Sequence, residues 1–141
     1  VGIANNPKTP ILDDADHPIL LETGPEPIAG STRMNAGTAQ RITLGLLSSL
    51  VMIRMGRVYD GMMVDVQATN KKLARRSATM LMHMTGRNEK DVRSALAQAD
   101  GNIKLAVLLL KGSRLDEAKS LLKRSKGQLR TALAQLEKRD R

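Results

Sequence analysis

Three regimes of hydrophobic patterning follow one another along the chain: short apolar runs cut by prolines, one long apolar segment, then amphipathic segments with clear end signals. The first third is broken at Asn5-Asn6-Pro7, Thr9-Pro10, His17-Pro18 and Gly24-Pro25-Glu26-Pro27. Between these breakers, residues 1–4 and 19–21 are apolar on successive positions, which predicts short buried parallel strands. A loop at 24–30 leads to a predicted helix over about 38–55, whose Ile42, Leu44, Leu46, Leu47, Leu50, Val51, Met52 and Ile53 cover most of its circumference. A helix apolar on so many sides is expected to be buried by a sheet and by a second subunit.

Gly56 is placed to end that helix, and Gly61 interrupts the segment leading to 62–66. A second helix is predicted over about 67–84, with Leu73, Met80, Met84 and His83 on a packed stripe and Thr85-Gly86 as its stop. Asp65, Gln67, Thr69 and Asn70 are candidates to cap it. Short helices with strong punctuation come next. Asn88 with Asp91, Asn102 after Asp100-Gly101, and Ser113 with Asp116 are expected N-caps. Lys126-Gly127 marks another helix end, and Leu129, Ala132, Leu133 and Leu136 predict a last helix with a charged tail.

Composition narrows the chemistry. In 141 residues there is no Cys, Phe or Trp and a single Tyr, so disulfides, thiolate metal sites and a base-stacking platform are excluded. His17 and His83 have no ligand-spaced partners, so no metal site is expected. The most apolar stretch, 42–53, sits between Arg41 and Arg54 and falls short of the roughly 20 residues of a membrane span, so no membrane segment is expected. The chain starts at Val1 on a strand-like run, the start expected of a piece of a longer polypeptide.

The net charge of +9 is unevenly placed: residues 1–66 carry 5 basic and 7 acidic side chains, and the remainder 18 and 7. Lys71, Lys72, Arg75 and Arg76 repeat like charge at i, i+4, which invites an anion. Without a helix-turn-helix signature or aromatic platform, a solvated basic surface is expected rather than nucleic-acid binding.

The densest polar constellation runs from Gly24 to Thr38. Ser31 and Thr32 offer hydroxyls, Arg33 a fork of donors, and the helix start free N–H groups, the parts of an anion site at the carboxyl end of a strand. An equally simple reading is that Ser31 or Asn35 caps the helix while Arg33 pairs with Glu26. The residues alone leave both open.

The run 24–38, followed by Met63-Val64-Asp65-Val66-Gln67-Ala68-Thr69-Asn70-Lys71-Lys72-Leu73, resembles the C-terminal half of the N-acetylmuramic acid 6-phosphate etherases, relatives of the glucokinase regulatory protein. One departure is Asn35, where the family has Lys in an Arg-Met-Lys run. The resemblance implies an α/β fragment, predominantly helical. Residues 1–66 would be the C-terminal part of an αβα sugar-isomerase (SIS) domain, 67–86 a connecting helix, and 87–141 a small module like the ubiquitin-associated (UBA) fold with a further helix and tail. That module is expected to be a packed cap, not a ubiquitin binder. The resemblance further implies a cytoplasmic homodimer that binds a phosphosugar through Ser31, Thr32, Arg33 and Asn35, with no metal or organic cofactor. The implied reaction cleaves the D-lactyl ether of N-acetylmuramic acid 6-phosphate by elimination and water addition. Its two catalytic glutamates would precede this region, so no catalytic residue is expected here. Glu22 and Glu26 are read as an exposed charge and a loop anchor, and the chain alone is expected to be inactive.

Overall fold

A computed structural model describes residues 1–66 and 70–139. The chain divides into two compact units, Val1–Val51 and Met52–Arg141, and the division falls inside a helix.

In the first unit, β1 (Gly2–Ala4) and β2 (Pro18–Leu20) pair in parallel, with Ile3 opposite Ile19, as the apolar runs predict. The expected burial holds only for β1: Pro18 and Leu20 of β2 are exposed because no further strand or helix among the described residues covers them. The crossover between them contains a single turn of helix, α1 (Pro10–Asp13), which the sequence reading did not anticipate. Pro10 occupies its first turn, where a missing N–H costs nothing. Gly2 is required where it stands, because a Cβ there would collide with the Ile11 carbonyl oxygen. Asn5 ties this unit together: its amide nitrogen donates to Leu21 O and Thr23 Oγ1, each at 3.2 Å, and its oxygen accepts from Gln40 Nε2 at 2.6 Å.

The long helix α2 (Asn35–Arg54) begins three residues earlier than expected. Its expected burial is not found: no residue of α2 is buried, and Ile42, Leu44, Leu46, Leu50, Val51 and Ile53 are each at least half exposed. Two three-residue strands and one helical turn offer too little apolar surface to cover a helix that is apolar all round. The length argument against a membrane span also needs correction. Helix α2 runs 20 residues, and an 18-residue stretch of it has a mean hydropathy of 1.2, long and apolar enough to cross a membrane by length and composition alone, a test that the core helix of a soluble protein also passes.

Gly56 closes α2 in the left-handed region, φ +68°, and Gln128 Nε2 donates to Arg54 O at 2.8 Å. A small antiparallel hairpin follows, β3 (Val58–Tyr59) and β4 (Met62–Met63). Its turn residues, Asp60 and Gly61, both have positive φ, the geometry that matches the strand twist. Reading Gly61 as an interruption missed this hairpin.

The second unit carries the core. Its helices are α3 (Lys71–Thr85), α4 (Glu89–Gln98), α5 (Ile103–Leu110), α6 (Leu115–Arg124) and α7 (Leu129–Arg139). Helix α5 packs against α3, α4 and α6, and Ile103, Ala106, Val107 and Leu108 are buried. Asn70 caps α3 by accepting from Leu73 N at 2.9 Å. Asn88 caps α4 by accepting from Asp91 N while its amide donates to the Asp91 carboxylate, and Asn102 accepts from Leu105 N. At α6 the expected Ser113–Asp116 box gives way to Glu117, whose carboxylate accepts from Ser113 Oγ at 3.1 Å and Arg114 N at 3.4 Å. On α3 the buried face is Ser77, Ala78 and Leu81, whereas Leu73, Met80 and Met84 are only partly covered and His83 is exposed, correcting the expected stripe.

Asp65 caps nothing. Its carboxylate lies 3.4 Å from Arg57 Nε and 3.2 Å from Lys104 Nζ, and the Lys104 side chain is only 8% exposed. Asp65→Ala strands that ammonium among apolar neighbours. Thermal melts should show a loss of about 1–3 kcal/mol, below the full penalty of a buried pair because Asp65 itself keeps contact with water. An unchanged melting temperature would mean that the pair contributes nothing. Gln67 and Thr69, the other capping candidates, lie outside the described residues.

Candidate functional site

The loop between β2 and α2 is an excursion pinned at its base. Glu26 reaches the helix entrance and accepts from Asn35 N at 2.8 Å and Ala36 N at 3.0 Å. A carboxylate there satisfies two of the free donors of the first turn and complements the helix dipole. Asn35 Nδ2 donates back to Pro25 O at 3.1 Å, closing the loop on itself. Within the excursion, Ser31 N donates to Ile28 O and Met34 N to Ser31 O, forming successive turns. Gly37 N donates to Thr32 O at 2.8 Å, and a Cβ at Gly37 would sit 3.0 Å from that oxygen. The absence of a side chain at 37 is what lets the loop lie so close to the helix.

Neither simple capping alternative is found: neither Ser31 nor Asn35 caps α2 with its side chain, and Arg33 makes no ion pair with Glu26. Glu26 satisfies the helix start instead and so anchors the loop, which agrees with its reading as a loop anchor. Thr32 and Arg33 are exposed, and Ser31 is half-buried. Their side chains stand along a segment whose main chain is fixed at both ends. Asn35 is drawn to the base of the loop, away from this row of donors in its bonding. Glu26 was readable as an anchor from its place in the loop after a strand, but the contact of Gly37 with Thr32 leaves no mark in the residue pattern.

Among the described residues no cluster of three or more His, Asp or Glu is arranged to hold a metal. Cavities in the second unit have a different character. Lys71, Lys72, Arg75, Arg76, Thr79 and Met80 line an open groove of about 580 Å³ on α3. None of these cations makes an ion pair among the described residues. Arg57, Asp65, Asp100 and Asn102 border another hollow of about 300 Å³, where one guanidinium stands among two carboxylates.

No protein-family model matches the chain. Curated proteins do. A protein of Deinococcus radiodurans is 46% identical over 136 residues, which are 96% of this chain and 45% of that protein. One of Streptomyces avermitilis is 44% identical, over 95% of this chain and 43% of its own length, and one of Yersinia pestis 42%, over 94% and 45%. All three are named N-acetylmuramic acid 6-phosphate etherase. The chain is a homologue of the N-acetylmuramic acid 6-phosphate etherases. It spans less than half the length of the etherases it matches, and the relationship leaves only a few residues of this chain outside it.

Proposed function

We propose that this chain is the C-terminal portion of a carbon–oxygen lyase that converts N-acetylmuramic acid 6-phosphate to N-acetylglucosamine 6-phosphate and D-lactate. Its own contribution would be to hold the sugar phosphate through Ser31, Thr32 and Arg33. One observation carries the binding part of this reading: a pinned loop presents two hydroxyls and a guanidinium without an ion-pair partner among the described residues, in succession at the entrance of α2. A guanidinium and two hydroxyls match the acceptor oxygens of a phosphate monoester. Elimination requires a base for the proton next to the sugar carbonyl and an acid for the departing ether oxygen, followed by addition of water. Those two groups are assigned to glutamates upstream of this region.

The architecture assigned to the complete protein is an αβα sugar-isomerase domain followed by the helical cap. In that setting the uncovered apolar circumference of α2 is buried by the rest of the domain and by a second subunit, making a homodimer. The same fold without the catalytic glutamates would be a phosphosugar-sensing module like the glucokinase regulatory relatives.

Assay of lactate release from N-acetylmuramic acid 6-phosphate separates the two. The intact protein should release D-lactate, and residues 1–141 alone should not. Phosphosugar binding without lactate release by the intact protein would leave the regulatory reading and remove the lyase.

A further inference from the structure

We infer that Glu26 is the positioning residue of the phosphosugar loop: its carboxylate is a built-in anion that occupies the entrance of α2 and thereby sets where Ser31, Thr32 and Arg33 stand. The inference rests on the assignment of that loop to the sugar phosphate. Two independent contacts support it. The Glu26 oxygens accept separately from Asn35 N and Ala36 N, at 2.8 and 3.0 Å, so one side chain engages both N–H groups at the helix start. From the opposite strand of the loop, Asn35 Nδ2 donates to Pro25 O at 3.1 Å, joining the residues on either side of the excursion. Pro25 and Pro27 flank Glu26 and restrict its backbone, so the carboxylate is held by stiff chain.

A consequence concerns the ligand. Because a carboxylate already fills the first-turn donors, a second anion placed there would meet like charge at close range. The phosphate is therefore held by the side chains of the excursion and not by the helix amides. Glu26 touches neither phosphate nor reacting atoms, and its removal should act on affinity and not on chemistry.

The test uses the intact protein, with N-acetylglucosamine 6-phosphate as the calorimetric probe. Glu26→Ala should weaken binding about five- to tenfold, the loss expected for a charged cap, and raise KM with little change in kcat. Added formate, small enough to enter the vacated helix start, should restore much of that affinity in Glu26→Ala while giving no gain in the unsubstituted protein. Glu26→Gln, which keeps a carbonyl acceptor and the side chain's size, should fall between and covers the case in which the alanine variant fails to fold. Unchanged affinity in a folded Glu26→Ala, or a loss that formate does not reverse, overturns the positioning role. If Arg33→Ala also binds the probe normally, the loop assignment itself fails. If Arg33→Ala binds weakly while Glu26→Ala binds normally, only the positioning role is lost.

Discussion

Leu108→Ala should lower the melting temperature of the helical unit by roughly 12–24 °C, corresponding to a loss of about 3 kcal/mol at about 4–8 °C per kcal/mol. Leu108 is 0% exposed and sits on α5, the helix against which α3, α4 and α6 all pack. Removing its isobutyl group loses transfer free energy and leaves a cavity that the neighbours fill only in part. A stability of 5–15 kcal/mol is typical of such domains, so one truncation should consume a large share of the total. Leu46→Ala is the contrasting control. Leu46 is 60% exposed on α2 and loses little contact when shortened, so its effect in this chain should stay within about 0.5 kcal/mol. Circular-dichroism melts of the two variants check both statements, and similar shifts for the two would contradict the placement of the core.

The same contrast shows what the residue pattern could and could not convey. Helices α4 to α7 were legible because each has an amphipathic stripe, and α4 and α5 a capping asparagine, all of which are local features. Strands β1 and β2 were legible as apolar runs between prolines, and their parallel pairing follows. The fate of α2 was not legible, because an all-round apolar helix states that it needs partners without stating whether the same chain contains them. Asp65 likewise gave a misleading local signal. An acidic residue shortly before a helix suggests a cap, yet its carboxylate pairs with Arg57 on the other side of the hairpin and with Lys104 far along the chain. Ion pairs set by tertiary packing leave no periodicity to read.

Arg33→Ala in the intact protein should weaken N-acetylglucosamine 6-phosphate binding by roughly 10- to 100-fold, the range for losing a charge-assisted hydrogen bond worth about 1.5–3 kcal/mol. Arg33 has no carboxylate partner in the described structure, and its side chain is exposed beside two hydroxyl-bearing residues. Its loss should therefore leave the fold intact, so that the melting temperature stays put while affinity falls. Arg33→Lys should recover only part of the loss, since an ammonium offers a point charge in place of a planar fork. Equilibrium dialysis or calorimetry on the three proteins reads the effect.

The candidate site was partly legible. Ser31, Thr32 and Arg33 stood out because hydroxyls and a guanidinium cluster before a helix, and the structure leaves Thr32 and Arg33 exposed and Ser31 half-buried. Asn35 was grouped with them through the family resemblance, at the position where the family has Lys. Its amide latches the base of the loop on Pro25 O, a contact spanning ten residues that spacing does not encode.

The central claim is that Arg33 reads the phosphate, and a cycle of one protein change against one ligand change tests it most directly. Binding of N-acetylglucosamine 6-phosphate and of N-acetylglucosamine is measured for the unsubstituted intact protein and for Arg33→Ala. The account predicts that the phosphate's contribution to affinity shrinks at least about tenfold in Arg33→Ala while the unphosphorylated sugar binds both proteins alike. An undiminished phosphate contribution in Arg33→Ala would contradict it.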